Sequence, residues 1–242
     1  CKMNEASRKI SLDYVIKQSF KYWKSTLFYQ LVFTIVYFSS LFILGNFLAN
    51  YYEIYPKINE IAPLMSSNPD EFSLKFQEIL LSENFKSFSM MTIVVVAIIY
   101  PMNIGFFKIY NQIDEKKEIN LNDLFAGFSG TNFFKFFGYY LLWGGIYFYL
   151  KPLIIPGFLW IIYTIFVAPL LFFTPMNLIE AMKISFKVVA GNFFVIATCS
   201  ILAIIFSYSG FFLFFFGLLF TFPFWNAIIY TLFKSYFRIK FV

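Results

Sequence analysis

Residues 188–233 read VVAGNFFVIATCSILAIIFSYSGFFLFFFGLLFTFPFWNAIIYTLF, a stretch of 46 residues without one charged side chain. A single helix of that length would measure about 69 Å, more than twice the roughly 30 Å of hydrocarbon in a bilayer. The stretch therefore predicts a hairpin of two membrane-spanning helices. The polar patch Ser207-Tyr208-Ser209-Gly210 lies near its middle, and we expect the chain to turn there on the exterior side.

The composition of the whole chain also indicates a membrane location. Of its 242 residues, 60% are hydrophobic, 24% aromatic and only 13% charged, far from the average of soluble domains. We expect one integral membrane domain over residues 1–242, an all-α polytopic helical bundle. The charge-free stretches predict six transmembrane helices, near 26–49, 87–108, 133–151, 156–173, 191–208 and 211–233.

The positions of lysine and arginine predict the orientation. Fifteen of these residues fall on one side of the predicted spans, and four fall on the other, namely Lys57, Lys75, Lys86 and Lys151. Both termini are therefore expected in the cytoplasm. Nucleic-acid binding is not expected, because the basic residues are spread over four segments rather than gathered in one patch.

The two cysteines do not indicate a disulfide, since Cys1 begins the sequence and Cys199 lies inside a predicted span. A leading cysteine would suit a cleaved lipoprotein, but the six basic residues that follow favour a cytoplasmic N-terminus. We expect that Cys1 is not the native start of the chain and that no cleavable signal peptide is present.

A short motif recurs ahead of two of the spans. The pattern Lys-x-Ser-Phe-Lys occurs at 17–21 and again at 183–187, each time on a predicted amphipathic interfacial helix. Residues 121–128 form a weaker third copy. The chain is therefore predicted to hold three parallel repeats of an interfacial helix plus a two-span hairpin, with pseudo-threefold symmetry about the membrane normal. The units are about 10–110, 120–173 and 174–236, and an exterior loop covers 53–86.

Several helix ends are also predicted from local signals. The first interfacial helix is expected to begin after Ser11. The second is expected to have Thr174 as its cap and Pro175 at its start, and to end at Gly191-Asn192. Within the exterior loop, residues 68–81 predict a short amphipathic helix.

Each second span contains a proline, namely Pro101, Pro169 or Pro223. Proline bends a membrane helix and frees a backbone carbonyl, so a bend is predicted at each position. Asn103 and Asn226 follow two of these prolines closely. Their amides are expected to bond freed backbone groups or a neighbouring helix, and the alternative is a polar ligand site at the kinks.

The sequence excludes several kinds of chemistry. It contains no histidine, the usual metal ligand and general base of membrane enzymes, and its carboxylates lie in loops or on interfacial helices. Glu180, the acid nearest the membrane plane, is expected to pair with Lys183 rather than act as a base. The predicted spans have no charged group at mid-membrane depth for ion coupling, and the chain has no phosphate-binding loop. We therefore expect a protein without enzymatic activity, metal or cofactor.

Residues in the second half of the chain resemble a broad bacterial superfamily: Pro156-Gly157, Trp160, Val167 to Leu171, Glu180 to Phe186, Gly191-Asn192, Pro223 and Tyr230. The chain is similar to the YciC-like proteins and to the membrane domain attached to some glycerophosphodiester phosphodiesterases. The resemblance covers roughly 120–236 well and the first unit loosely. It implies a fold more than an activity, since carotene oxygenase or phosphodiesterase chemistry would need histidines that this chain lacks.

Two functional hypotheses follow. The leading one is a membrane module that contacts anionic lipid headgroups, or a membrane-protein partner, through Lys17, Lys21, Lys183 and Lys187. The alternative for these four lysines is that they are plain topology determinants on solvated faces. The alternative is a permease-like component for a lipidic substrate, in which the three prolines are hinges around a central cavity. Aromatic residues near span ends are expected to be interface anchors, for example Tyr22, Trp23, Tyr51, Tyr52, Tyr230 and Tyr236.

Overall fold

A computed structural model describes residues 10–213 and 215–237, and its regular elements are all helical. Cys1 and five basic residues of the orientation prediction (Lys2, Arg8, Lys9, Arg238 and Lys240) lie outside the described residues. In chain order the elements are α1 (Leu12–Ser25), α2 (Leu27–Tyr51), α3 (Ile54–Ile61), α4 (Leu64–Ser67), α5 (Pro69–Leu81), α6 (Glu83–Ile99), α7 (Pro101–Asp114), the 3-10 helix η1 (Leu121–Phe128), α8 (Asn132–Leu150), α9 (Ile154–Tyr163), α10 (Val167–Phe173), α11 (Leu178–Gly191), α12 (Phe193–Ser209), the 3-10 helix η2 (Gly210–Leu213), α13 (Leu218–Thr221) and α14 (Phe224–Tyr236).

Within the described ranges, four helical stretches are long and apolar enough to cross a membrane: Leu27–Tyr51, Glu83–Asp114, Ile154–Phe173 and Phe193–Phe212. Their mean hydropathy lies between 2.0 and 2.2. These stretches coincide with the first, second, fourth and fifth predicted spans. The all-helical class is confirmed for the described residues, and the four stretches support the membrane character predicted from composition.

The third and sixth predicted spans stay predictions. The third corresponds to α8, a helix of 19 residues that is not one of the four stretches. The sixth does not form one helix, because η2, α13 and α14 divide it and Pro223 stands between the last two. A proline has no N–H to donate and clashes with the preceding turn, which explains the interruption.

The start of α11 differs from the prediction. Asn177 caps it, with Asn177 Oδ1 accepting the Glu180 backbone N–H at 3.0 Å and Glu180 Oε2 accepting the Asn177 N–H at 3.2 Å. Thr174 instead donates its hydroxyl to the carbonyl of Leu170 at 2.6 Å, at the end of α10. The predicted Thr174 cap was therefore wrong, and the Glu180 carboxylate serves a capping box. The predicted end at Gly191 and the helix over 68–81 are confirmed.

The chain forms two compact units, one over 37–99 and the other over the described residues of 10–36 and 100–237. The smaller unit has its own apolar core of Leu48, Val95 and Ile99, with Tyr37, Leu41, Tyr52 and Phe88 packed around it. Its helices α3 to α5 lie within the predicted exterior loop.

In the larger unit, each of the three predicted interfacial elements packs against a different helix or helix pair. The helix η1 lies along α7, α11 packs against α9 and α10, and α1 packs against α14. The contact of η1 with α7 is very close, since a Cβ on Gly105 would collide with the backbone of Leu124 and a Cβ on Gly127 with that of Pro101. Glycine is therefore required at both positions by packing rather than by backbone conformation.

Candidate functional site

The two predicted asparagines meet inside the larger unit. Asn226 on α14 is 3% exposed and donates from Nδ2 to Asn103 Oδ1 on α7 at 3.1 Å. Asn103 Nδ2 in turn donates to the carbonyl of Tyr100, just before Pro101, at 3.2 Å. The pair thus joins two helices and binds one backbone group beside a proline.

The three predicted prolines are buried, and each stands at or just after an interruption of a helix. Pro101 opens α7 after Tyr100, Pro169 is the third residue of α10, and Pro223 precedes α14. Since proline cannot donate to the carbonyl one turn earlier, these positions fit the role of bends in the helices.

The four predicted lysines all lie exposed on α1 and α11, the helices predicted to be interfacial. Lys17 forms an i,i+4 ion pair with Asp13 at 3.0 Å, and the two side chains are 77% and 68% exposed. So exposed a pair is worth little in stability. The lysines are therefore available to an anionic group outside the protein.

The serines of the repeated motif face inward instead. Ser19 Oγ lies 2.9 Å from Thr231 Oγ1 on α14. Ser185 Oγ donates to the carbonyl of Tyr163 at 2.6 Å and accepts the N–H of Phe166 at 3.3 Å, where α9 gives way to α10. Both serines are 0% exposed. In both copies the motif therefore combines a serine that binds a neighbouring helix with exposed lysines.

Sequence reasoning missed a polar cluster around Asp114, at the end of α7. Its Oδ1 accepts the hydroxyl of Tyr22 on α1 at 2.7 Å, and its Oδ2 accepts that of Tyr230 on α14 at 2.8 Å. Lys234, one turn beyond Tyr230, places its Nζ 2.7 Å from Oδ2. One carboxylate therefore ties three helices together, and we call these four residues the Asp114 clasp.

The expectation that Tyr22 and Tyr230 are interface anchors was wrong, because both are 0% exposed. Their rings pack with Tyr110, at centroid distances between 5.1 and 5.5 Å. Burial and the hydrogen bond to Asp114 raise the pKa of Tyr22 well above its ordinary value, so its hydroxyl stays a donor. A partial signal was present in the sequence, since Tyr230 and Lys234 are four residues apart and share a helix face.

A second acid, the buried Asp123, holds η1 against α7. Its side chain is 4% exposed, lies 2.7 Å from Lys108 Nζ and accepts the backbone N–H of Asn120 at 2.9 Å. Burial alone would raise the pKa of Asp123, but the Asn120 N–H and the Lys108 ammonium outweigh it and bring the pKa below the ordinary value. Both the half-buried Asp114 and the buried Asp123 therefore serve to join helices.

Within the described part of the chain, no group of three or more His, Cys, Asp or Glu side chains could hold a metal ion. Comparisons with protein-family models, with curated proteins and with solved structures found no match for this chain. Its function is therefore inferred from its own residues.

Proposed function

We propose that this chain is a non-enzymatic membrane protein that binds anionic lipid headgroups through its two cytoplasmic interfacial helices. In this proposal it belongs to the bacterial superfamily that its second half resembles and lies in the inner membrane. It has six spans in three parallel repeats, with both termini in the cytoplasm.

The packing of the interfacial elements supports the repeats. In the proposed units, η1 opens the second repeat and covers α7 of the first, while α11 opens the third and covers α9 and α10 of the second. The first interfacial helix, α1, covers α14 of the third repeat. Every such element thus packs on the last span of another repeat, the order that a closed ring of three units requires.

One observation carries the lipid proposal, namely that each Lys-x-Ser-Phe-Lys copy presents the same three faces. The serine is buried, the lysines are exposed, and the phenylalanine between them, Phe20 or Phe186, is 37% exposed. A helix lying in the membrane interface needs this division, with aromatic rings near the acyl chains and ammonium groups at the headgroups. Each lysine near an anionic surface contributes about 1 kcal/mol of attraction.

The permease alternative is less well supported. It needs Asn103 and Asn226 to face an open cavity, whereas their amides bond to each other. The residues that follow on the same helices, among them Phe106 and Leu232, are 0% exposed. Such packing between α7 and α14 favours a module whose contacts lie on its surface.

The proposal is tested by replacing Lys17, Lys21, Lys183 and Lys187 with glutamine in the full chain. Native mass spectrometry of the detergent-purified protein would count bound phosphatidylglycerol and phosphatidylcholine molecules. Each lost lysine should weaken phosphatidylglycerol binding by about fivefold, the equivalent of 1 kcal/mol, and leave phosphatidylcholine binding unchanged.

The matched control replaces Lys57, Lys75, Lys86 and Lys151, which removes the same charge from the other predicted side. An equal loss of phosphatidylglycerol binding in both variants would show that only the net charge matters, and would contradict the proposal. Phosphatidylglycerol binding that is unchanged in the first variant, with a membrane protein co-purifying only with the wild-type chain, would favour a protein partner instead. The first variant keeps eleven basic residues on the predicted cytoplasmic side against four, so its orientation should persist.

A further inference from the structure

The three predicted interfacial elements share one register. On α1, α11 and η1 a small buried residue can be taken as position 0, namely Ser19, Ser185 and Gly127. The residue at position −4 is also buried in every element; these residues are Val15, Ala181 and Asp123. The residue at position +1 is a partly exposed phenylalanine in every element. The same inward face is therefore present three times.

The residue at position 0 meets a backbone carbonyl of a neighbouring helix in each case. Ser19 Oγ lies 3.3 Å from the carbonyl of Ala227 on α14, and Ser185 Oγ lies 2.6 Å from that of Tyr163 on α9. Gly127 approaches the carbonyl of Pro101 on α7 so closely that a Cβ would collide with it. We call this arrangement, a small buried residue at 0 and a phenylalanine at +1, the interfacial frame.

Positions −2 and +2 of the frame are exposed in all three elements, but their residues differ. On α1 and α11 they are lysines: Lys17, Lys21, Lys183 and Lys187. On η1 they are Phe125, which is 38% exposed, and Ser129. From position −6 to +2, α1 and α11 each hold two lysines and one acid, a net charge of +1, whereas the η1 stretch holds one acid and no base, a net charge of −1.

Two lysines near η1 in the structure are bound by the protein itself. Lys108 Nζ lies 2.7 Å from the carboxylate of Asp123, and Lys135 Nζ donates to the carbonyl of Leu171 at 3.1 Å. On α1 and α11, by contrast, three frame lysines form no ion pair within the described residues, namely Lys21, Lys183 and Lys187. The attraction for an anion is therefore confined to two of the three elements.

We infer that anionic headgroups bind at two interfacial elements, α1 and α11, and that the lysines at −2 and +2 of the frame are the residues that select them. Lysines four apart on a helix share a face, so both ammonium groups can contact one phosphate. The frame of η1 lacks only this pair and becomes a third site when lysines are supplied at 125 and 129. The inference rests on the proposed function and adds the number of sites and the residues that determine the preference for charge.

The test adds the missing pair to the full chain as Phe125→Lys with Ser129→Lys. Native mass spectrometry of the detergent-purified protein counts bound phosphatidylglycerol and phosphatidylcholine. We expect two strong phosphatidylglycerol sites in the wild type and three in this variant. Binding at η1 should strengthen by about fivefold for each added lysine, about 25-fold for the pair, and phosphatidylcholine binding should not change. Ser129→Lys alone keeps the Phe125 ring and should give about the single fivefold gain.

Two control variants separate position from charge. Phe125→Gln with Ser129→Gln changes the same residues without adding charge and should keep two sites. Ser73→Lys with Gln77→Lys places an equivalent lysine pair on the exposed surface of α5, which has no interfacial frame, and should also keep two sites. The sites on α1 and α11 report in every variant that the protein is folded.

An unchanged count of two in both the double and the single η1 lysine variants would overturn the inference. An equal gain in the α5 control would also overturn it, because binding would then follow net charge alone. The proposed function fails separately, when the variant with four glutamines at 17, 21, 183 and 187 keeps its phosphatidylglycerol. Loss of binding in that variant, without any gain from lysines on η1, would leave the proposed function standing and refute only this inference.

Discussion

Removing the carboxylate of Asp114 should destabilise the protein strongly, although Asp114 was not predicted to matter. In Asp114→Ala, the hydroxyls of Tyr22 and Tyr230 lose acceptors at 2.7 and 2.8 Å while their rings stay fully buried. Tyr22 then loses its carboxylate acceptor, Tyr230 keeps only the longer contact with Asn111 Oδ1 at 3.5 Å, and Lys234 loses its ion pair.

The magnitude follows from the burial of each partner. A hydrogen bond to a charged group contributes about 1.5 to 3 kcal/mol, and its loss leaves the donor's desolvation uncompensated. The Lys234 side chain is 39% exposed, so its ion pair adds only about 0 to 1 kcal/mol. We therefore expect Asp114→Ala to lower the free energy of unfolding by about 3 to 5 kcal/mol. Asp114→Asn keeps one acceptor oxygen and should lose about half as much.

Unfolding in detergent, followed by tryptophan fluorescence during a denaturant titration, measures these differences. Lys234→Gln is the control, with an expected loss of about 1 kcal/mol or less. A double-mutant cycle of Tyr22→Phe with Asp114→Asn should give a coupling energy above about 1 kcal/mol. The reasoning is refuted if Asp114→Ala loses no more stability than Lys234→Gln, because the tyrosine bonds would then contribute nothing.

Two further predictions concern the other buried polar groups. The pKa of Asp123 is lower in the folded protein than its ordinary value of 3.8. Its carboxylate therefore stabilises the fold fully at pH values above 3.8, and this contribution disappears as the pH falls through the folded pKa. Asp123→Asn should therefore reduce the drop in melting temperature between neutral pH and pH about 3, whereas Asp13→Asn at an exposed site should leave it unchanged. For the asparagine pair, Asn226→Ala should lose about 0.6 to 1.7 kcal/mol in a denaturant titration. The double variant Asn103→Leu with Asn226→Leu should have a free energy of unfolding closer to that of the wild type than either single variant has. Strictly additive losses of stability would contradict the hydrogen bond between the two asparagines.

Helix positions with strong local signals were predictable from the sequence. Residues 68–81 carry an asparagine cap followed by Pro69, and the structure places α5 there with the Asn68 side chain accepting the Glu71 N–H. The start of α11 was misread because Thr174-Pro175 and Asn177 both carry capping signals. Thr174 does not cap α11 because its hydroxyl donates to the carbonyl of Leu170 at the end of α10.

The candidate site was predictable only in part. Asn103 and Asn226 stood out because an amide in an apolar span needs a partner, but 123 positions separate them and only folding shows that they pair. Tyr22 and Tyr230 carried the signature of interface anchors, since an amphipathic ring near a span end looks the same whether it faces lipid or a carboxylate.

The sequence by itself determined that this protein is helical and belongs in a membrane, because hydrophobicity and the absence of charge act locally and accumulate along each segment. Four stretches apolar enough to cross the bilayer followed directly from that pattern. Only the tertiary structure decided that Asp114 joins α1, α7 and α14, and that the stretch after Ser209 is broken into short helices. Those features depend on polar groups finding partners far away in the chain and on backbones meeting at Gly210, which no local pattern encodes.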